Sequence, residues 1–177
     1  MMKLKDRVRS RRVAVYGLMI ALALIFSYVE ARIPNFFAFP GMKLGITNIV
    51  VLMALYKMGN VPALLINFLR IGLVAMLFGG VYSFAYSFVG GMLSCVVMIL
   101  LKQLAGLRPV TVSIAGGVAH NIGQIVTAMV LMNTAGIGWY LCVLWFTGML
   151  SGTLIGFLGY ELNRRLPDRL FEGGKKK

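Results

Sequence analysis

From Pro109 to Tyr160 the chain runs for 52 residues without a formal charge. Such a run dictates the solvent. A soluble domain of this size would carry about 25% charged residues, and this chain carries 13%. Three further runs repeat the pattern. Val13–Val29 and Leu44–Tyr56 are uncharged, and between Lys57 and Lys102 the one charge is Arg70. A bilayer core of about 30 Å takes roughly 20 helical residues, so each of the two longest runs holds two spans and each shorter run one. Barrel strands would alternate polar and apolar residues, and these runs do not. The fold class is therefore an all-α integral membrane protein with six transmembrane helices.

Turn signals at Gly79-Gly80 and Asn133–Gly138 divide the long runs. The expected helices are 12–30, 43–57, 61–78, 82–103, 110–132 and 138–163. The second is short, so it must tilt, extend Lys43 toward the headgroups, or be sheltered by protein. Residues 1–12 form a basic N-terminal segment, 13–163 the membrane domain and 164–177 a basic C-terminal tail. With the N-terminus inside, 15 of the 18 Lys and Arg fall on the cytoplasmic side, as the positive-inside rule requires. Both termini are then cytoplasmic, the location is the plasma membrane, and the 31–43 loop is outside. The N-terminal apolar run is too long for a cleavable signal. The net charge of +13 belongs to the inner membrane face and attracts anionic inner-leaflet lipid; no nucleic-acid partner is expected.

Arg70 is the residue that most needs explaining. It lies near mid-membrane, where an arginine costs roughly 2.5–3.5 kcal/mol on insertion scales and faces protein or water. Asn67, one turn earlier, shares its face. Of the five acidic residues, Glu30 alone is expected toward the outer side. Arg70 therefore either pairs with Glu30 or with carbonyls of a broken helix, or it holds the anionic group of a ligand. A second polar stripe runs along helix five: Ser113, Gly117, His120, Gln124 and Thr127, flanked by Asn121. Each polar group needs partners in lipid, so the stripe is a binding cavity or a clamp between helices. Arg70, Asn67, His120 and Gln124 are expected to converge on one pocket beneath the 33–43 loop, whose three Phe and two Pro suit an interfacial segment or a lid.

Small residues four apart let helices approach closely. Gly17 and Ala21 on helix one, Ser83, Ser87, Gly91 and Cys95 on helix four, and Gly148, Gly152 and Gly156 on helix six form three such ridges. The helix-one ridge serves internal packing or docks a partner. Cys95 and Cys142 read as packing residues. No metal site, cofactor site or catalytic constellation is expected: the chain has no Walker motif, no Asp-rich motif to hold Mg²⁺ and no acidic pair within a span. A polar cavity with neither an energy source nor a catalyst points to a binding subunit served by others.

Four segments carry a family resemblance. Pro40-Gly41-Met42-Lys43-Leu44-Gly45-Ile46-Thr47-Asn48-Ile49-Val50, Asn67-Phe68-Leu69-Arg70, Phe78-Gly79-Gly80 and Ala115-Gly116-Gly117-Val118-Ala119-His120-Asn121-Ile122-Gly123-Gln124 resemble the Gx transporter family, also labelled heptaprenyl diphosphate synthase component I. That family is similar in turn to the substrate-binding S components of energy-coupling factor (ECF) importers. This second likeness implies an S-component-like bundle, an outward-facing pocket, and docking through helix one, where Gly17 and Ala21 match the small-residue motif, to an ECF-type coupling protein with its ATPases. Lys43 and Asn48, from the first segment, join Arg70, Asn67, His120, Asn121 and Gln124 as candidate binding residues for a small-molecule ligand, expected to be anionic and vitamin- or cofactor-like. The synthase label implies instead a noncatalytic membrane subunit of polyprenyl diphosphate synthesis.

Overall fold

A computed structural model describes residues 4–33, 45–78 and 80–171. Its six α-helices are α1 (Leu4–Arg32), α2 (Asn48–Lys57), α3 (Asn60–Phe78), α4 (Val81–Ala105), α5 (Pro109–Leu131) and α6 (Leu141–Arg165), with a 3-10 turn at Ala135–Tyr140 before α6. The breaks follow local chemistry. Gly59 sits at φ +105° between α2 and α3. Gly106 closes α4 in the left-handed region, and Pro109 opens α5, where its missing N–H costs nothing. Asn133, also at positive φ, marks the break expected after α5.

Five of these helices are long and apolar enough to cross a membrane, as in a multi-pass membrane protein. Their outer faces are apolar as well: Val13, Leu18 and Ile25 on α1 and Phe146, Leu150, Leu154 and Phe157 on α6 are all exposed. The short helix α2 departs from expectation. It begins at Asn48 rather than near residue 43, and its ten residues span about 15 Å, half a bilayer core. Shelter by protein, one of the expected ways to accommodate a short helix, is present. Asn48 to Leu55 are all buried, packed chiefly against α3 and α6, and Ile49 to Leu55 belong to the main apolar core with Met19, Ala23, Ala63, Ile66, Met98 and Val112.

Polar contacts define one end of the bundle. Arg11 donates to the carbonyl of Arg169. Lys57 Nζ reaches the carbonyl of Leu166 at 2.8 Å and Asp168 Oδ1 at 2.5 Å. Lys102 Nζ donates to the carbonyl of Leu55 at 2.6 Å, and the Tyr56 hydroxyl to that of Leu107 at 2.7 Å. The start of α1 and the ends of α2, α4 and α6 therefore gather at this basic end, where α5 begins. The start of α2 lies deep in the bundle instead. Asn48 Nδ2 is 3.4 Å from Ser94 Oγ, midway along α4, and Gly45 abuts His120, midway along α5.

The tightest seam is between α5 and α6. A Cβ at Gly117 would stand 2.5 Å from the carbonyl oxygen of Gly148, and one at Gly152 2.7 Å from Ile114 Cα. Gly156 meets Val110 in the same way. The helix-six ridge thus packs inside the bundle. On α4, Ser87, Gly91 and Cys95 are buried. Nothing lies within 4 Å of a Cβ placed at Gly17, and Ala21 is exposed beside it.

Candidate functional site

The centre of the bundle holds two buried charges among the described residues, Arg70 and Glu30. Arg70 is the eleventh of 19 residues in α3 and only 5% exposed. Its Nη2 donates to Asn67 Oδ1 at 2.6 Å, and Asn67 Nδ2 donates in turn to the carbonyl of Gly91 at 2.9 Å. Arg70 Nε is buried with no hydrogen-bond partner. Ser87 Oγ, one helical turn before Gly91 on α4, is buried and unpartnered as well. Two polar groups left unsatisfied on neighbouring helices are an unusual expense in a membrane interior.

Glu30 does not form a direct ion pair with Arg70. Its carboxylate is folded into the turn that starts α2. One oxygen accepts the amide N–H groups of Gly45 and of Ile46, the latter at 3.1 Å; the other accepts the Thr47 hydroxyl at 3.2 Å, which Ser27 Oγ approaches to 3.0 Å. Gly45 permits this turn through its φ of +80°. The first turn of a helix has orphan N–H groups and a partial positive charge. Here the amides of Asn48, Ile49 and Val50 donate to the carbonyls of Gly45, Ile46 and Thr47, and Glu30, from α1, accepts the Gly45 and Ile46 amides of the turn that supplies those carbonyls.

The glycine pair at Gly90-Gly91 joins this group to the α5 stripe. A Cβ at Gly91 would stand 3.3 Å from Arg70 Nη2 and 3.6 Å from Asn67 Oδ1, while one at Gly90 would stand 3.3 Å from His120 Cε1 and 3.1 Å from Gln124 Cγ. The route from Arg70 Nη2 to His120 Cε1 through two adjacent residues is under about 14 Å. His120 Nε2 and Gln124 Nε2 are 3.1 Å apart. His120 also meets Gly45, whose Cβ would lie 3.5 Å from His120 Cδ2 and 3.1 Å from Asn48 Nδ2. Arg70, Asn67, His120, Gln124 and Asn48 are thus brought around one centre, with Glu30 beside it.

Asn121 is placed elsewhere. It faces α6, with Nδ2 donating to the carbonyl of Leu144 at 2.7 Å and lying 3.3 Å from Thr147 Oγ1, which ties two helices together. Thr127 bonds its own helix at Gly123. Lys43 and the apolar loop from Pro34 lie outside the described residues, so their expected place above the pocket belongs to the proposals below. Among the described residues no three His, Cys, Asp or Glu side chains come together as metal donors. The roles of Glu30, Gly45 and the Gly90-Gly91 pair are not evident from the sequence, although two adjacent glycines in mid-span mark a place where neighbouring side chains need room.

The family model of heptaprenyl diphosphate synthase component I matches residues 19–162, which takes in every residue of this centre. The chain belongs to that family. No curated protein and no solved structure matches it. In this component I chain the matched region begins inside α1 and ends in α6, leaving the basic ends outside it.

Proposed function

We propose that this component I chain is a noncatalytic, membrane-embedded binding subunit whose Arg70 centre holds the anionic end of its ligand. The family name supports a role in polyprenyl diphosphate synthesis, with the ligand a prenyl-type lipid and a second synthase component performing the chemistry. The observation carrying this reading is the buried, unpartnered Nε of Arg70 at mid-span. A guanidinium with a free Nε donor in low dielectric is a strong seat for phosphate or carboxylate. Asn67 holds the guanidinium in place, while His120, Gln124 and Asn48 supply further polar contacts. Lys43 and the loop before α2 are proposed to cover the centre. Both chain ends are proposed to be cytoplasmic at the plasma membrane, with the basic end on anionic lipid.

The test is to purify the protein from its native membrane and identify the small molecules and proteins that accompany it by mass spectrometry. A prenyl phosphate together with a soluble prenyl synthase is the expected result. Arg70→Ala should lose the small molecule while the bundle stays folded, and Arg70→Lys should weaken retention despite keeping the charge. Unchanged retention in Arg70→Ala would sink the reading.

A second reading has its own observation. The Gly17–Ala21 face of α1 is exposed and takes no part in internal packing, as suits the docking face of an S-component-like importer subunit that binds a vitamin- or cofactor-like anion. In that case Gly17→Leu abolishes assembly with an ECF-type coupling protein and its ATPases and leaves the isolated protein folded. Recovery of the chain with prenyl synthase and no ATPase would count against it.

A further inference from the structure

Helix α5 has a second face. Arg108, Thr111, Ala115, Val118 and Ile122 fall at 3,4,3,4 spacing, opposite the stripe that carries His120 and Gln124. Both neighbouring helices approach α5 closely at glycines: Gly90 of α4 packs on Gly123, and Gly148 and Gly152 of α6 on Gly117 and Ile114. Held so near, α4 and α6 rise on either side of α5 and leave its second face as the floor of a groove of about 510 Å³, with Val97 on one wall and Trp145 and Met149 on the other. Apart from the Thr111 hydroxyl the lining is aliphatic or aromatic. The rise from Thr111 to Ile122 is about 17 Å, close to the depth of one leaflet of the hydrocarbon core. Trp145 stands at the inner end, since Asn121, next to Ile122, bonds the carbonyl of Leu144. The other end is the basic end of the bundle. There Lys57 is paired with Asp168, Arg165 with Glu161, and Lys102 is bonded to the Leu55 carbonyl. Arg108 is exposed, and its guanidinium has no hydrogen-bond or ion-pair partner among the described residues. It precedes Thr111 by one turn on the groove's own stripe.

We infer that this groove binds an anionic phospholipid of the leaflet at the basic end, with one acyl chain lying along α5 as far as Trp145 and the phosphate at Arg108. An apolar channel one leaflet deep suits the chain of a lipid that stays in its leaflet. An unpaired guanidinium at the mouth is a seat for phosphate. A zwitterionic lipid fills the same channel, but its ammonium offsets the attraction, so Arg108 selects the anion. One such cation near the membrane surface gives a preference of about fivefold. The groove and the Arg70 centre lie against opposite faces of α5, so neither reading depends on the other.

The experiment uses the fluorescence of Trp145, which is half-exposed. The chain has two tryptophans, so Trp139→Phe leaves Trp145 as the single reporter. The full-length protein is placed in phosphatidylcholine nanodiscs that contain equal small mole fractions of either phosphatidylglycerol or phosphatidylcholine with brominated chains. Brominated phosphatidylglycerol should quench Trp145 at about fivefold lower mole fraction than brominated phosphatidylcholine. Arg108→Gln should bring the two lipids together, and Ala115→Phe, which fills the floor of the groove, should weaken quenching by phosphatidylglycerol. Arg12→Gln removes an exposed charge of α1 at the same end and should leave the preference unchanged. Equal quenching by the two lipids before these changes overturns the inference, because the groove then holds ordinary bilayer. An equal effect of Arg12→Gln and Arg108→Gln overturns it too, since the preference then comes from the diffuse field of the basic end. Displacement of phosphatidylglycerol by an equal amount of farnesyl phosphate assigns the groove to a prenyl phosphate instead. If Ala115→Phe does not fold, the two arginine variants decide. Ligand retention at Arg70 is a separate measurement, so failure of one reading is distinguishable from failure of the other.

Discussion

At the scale of single residues, glycines decide how close the polar groups come. Gly91 faces Arg70 and Asn67, and a Cβ there would press Ile71 Cδ1 at 3.0 Å and Arg70 Nη2 at 3.3 Å. Gly91→Ala should therefore displace the guanidinium and reduce ligand retention severalfold with modest loss of stability. Gly72→Ala, on the same pair of helices and with open space around it, should leave retention unchanged. The α5–α6 seam is less forgiving, because its neighbours are backbone atoms that cannot rotate away. Gly117→Ala should cost about 1–3 kcal/mol, read as a lower unfolding temperature in detergent, whereas Gly17→Ala, in open space, should not. The residue types at the centre were legible in the sequence: a mid-span Arg with Asn one turn away, and His with Gln at i,i+4, announce polar groups that need partners. The division of labour was not. Asn121 and His120 are adjacent, yet a rotation of about 100° per residue sends one to α6 and the other to the centre, and no periodicity says which face meets a carbonyl.

Among the elements, α1 and α2 depart furthest from the sequence reading. The other four helices begin and end within a few residues of where charges, glycines and prolines place them, while α1 continues toward the N-terminus through its charged segment to Leu4. A charged stretch that helps fix a membrane boundary gives no signal against helix continuing beyond it. For α2 the apolar run starting at Leu44 conceals a turn at Gly45–Thr47, because the turn is stabilised by Glu30, 15 residues earlier in the chain. Such a long-range cap leaves no local signature. Glu30→Ala should expose that dependence: the Gly45 and Ile46 amides and the Thr47 hydroxyl lose their acceptor, and the loss should reach about 2–4 kcal/mol, seen as a fall in unfolding temperature larger than for Glu30→Gln. If the two variants unfold alike, the cap contributes little to stability.

For the whole molecule, the contact between Arg11 and Arg169 brings the two ends of the described chain to one end of the bundle, which also carries Lys57, Lys102 and Arg165. Cysteines introduced at Asp6 and Asp168 should both be protected from a membrane-impermeant reagent in sealed cells, while one introduced at Asn35 is labelled. Labelling of either terminal position would reverse the proposed orientation. The Arg-Arg and Lys-rich flanks made this arrangement readable, because charge placement is a property of the sequence itself. Which helices touch is not such a property, and neither is the burial of α2.

That burial bears on how the protein is made. A ten-residue helix is too short to be taken into the bilayer on its own hydropathy, and the turn that opens it relies on Glu30 to accept the Gly45 and Ile46 amides. When ribosomal synthesis has reached only the end of α4, the α3 and α1 surfaces are present, but α6, which covers much of α2 and whose Gly159 packs against Leu52, has not emerged. In the growing chain α2 therefore waits at the water interface or lies half-covered until the last span arrives. Biosynthesis ends with the docking of an early segment onto a late one, so nascent chains stalled before α6 are those a membrane quality-control protease is best placed to find.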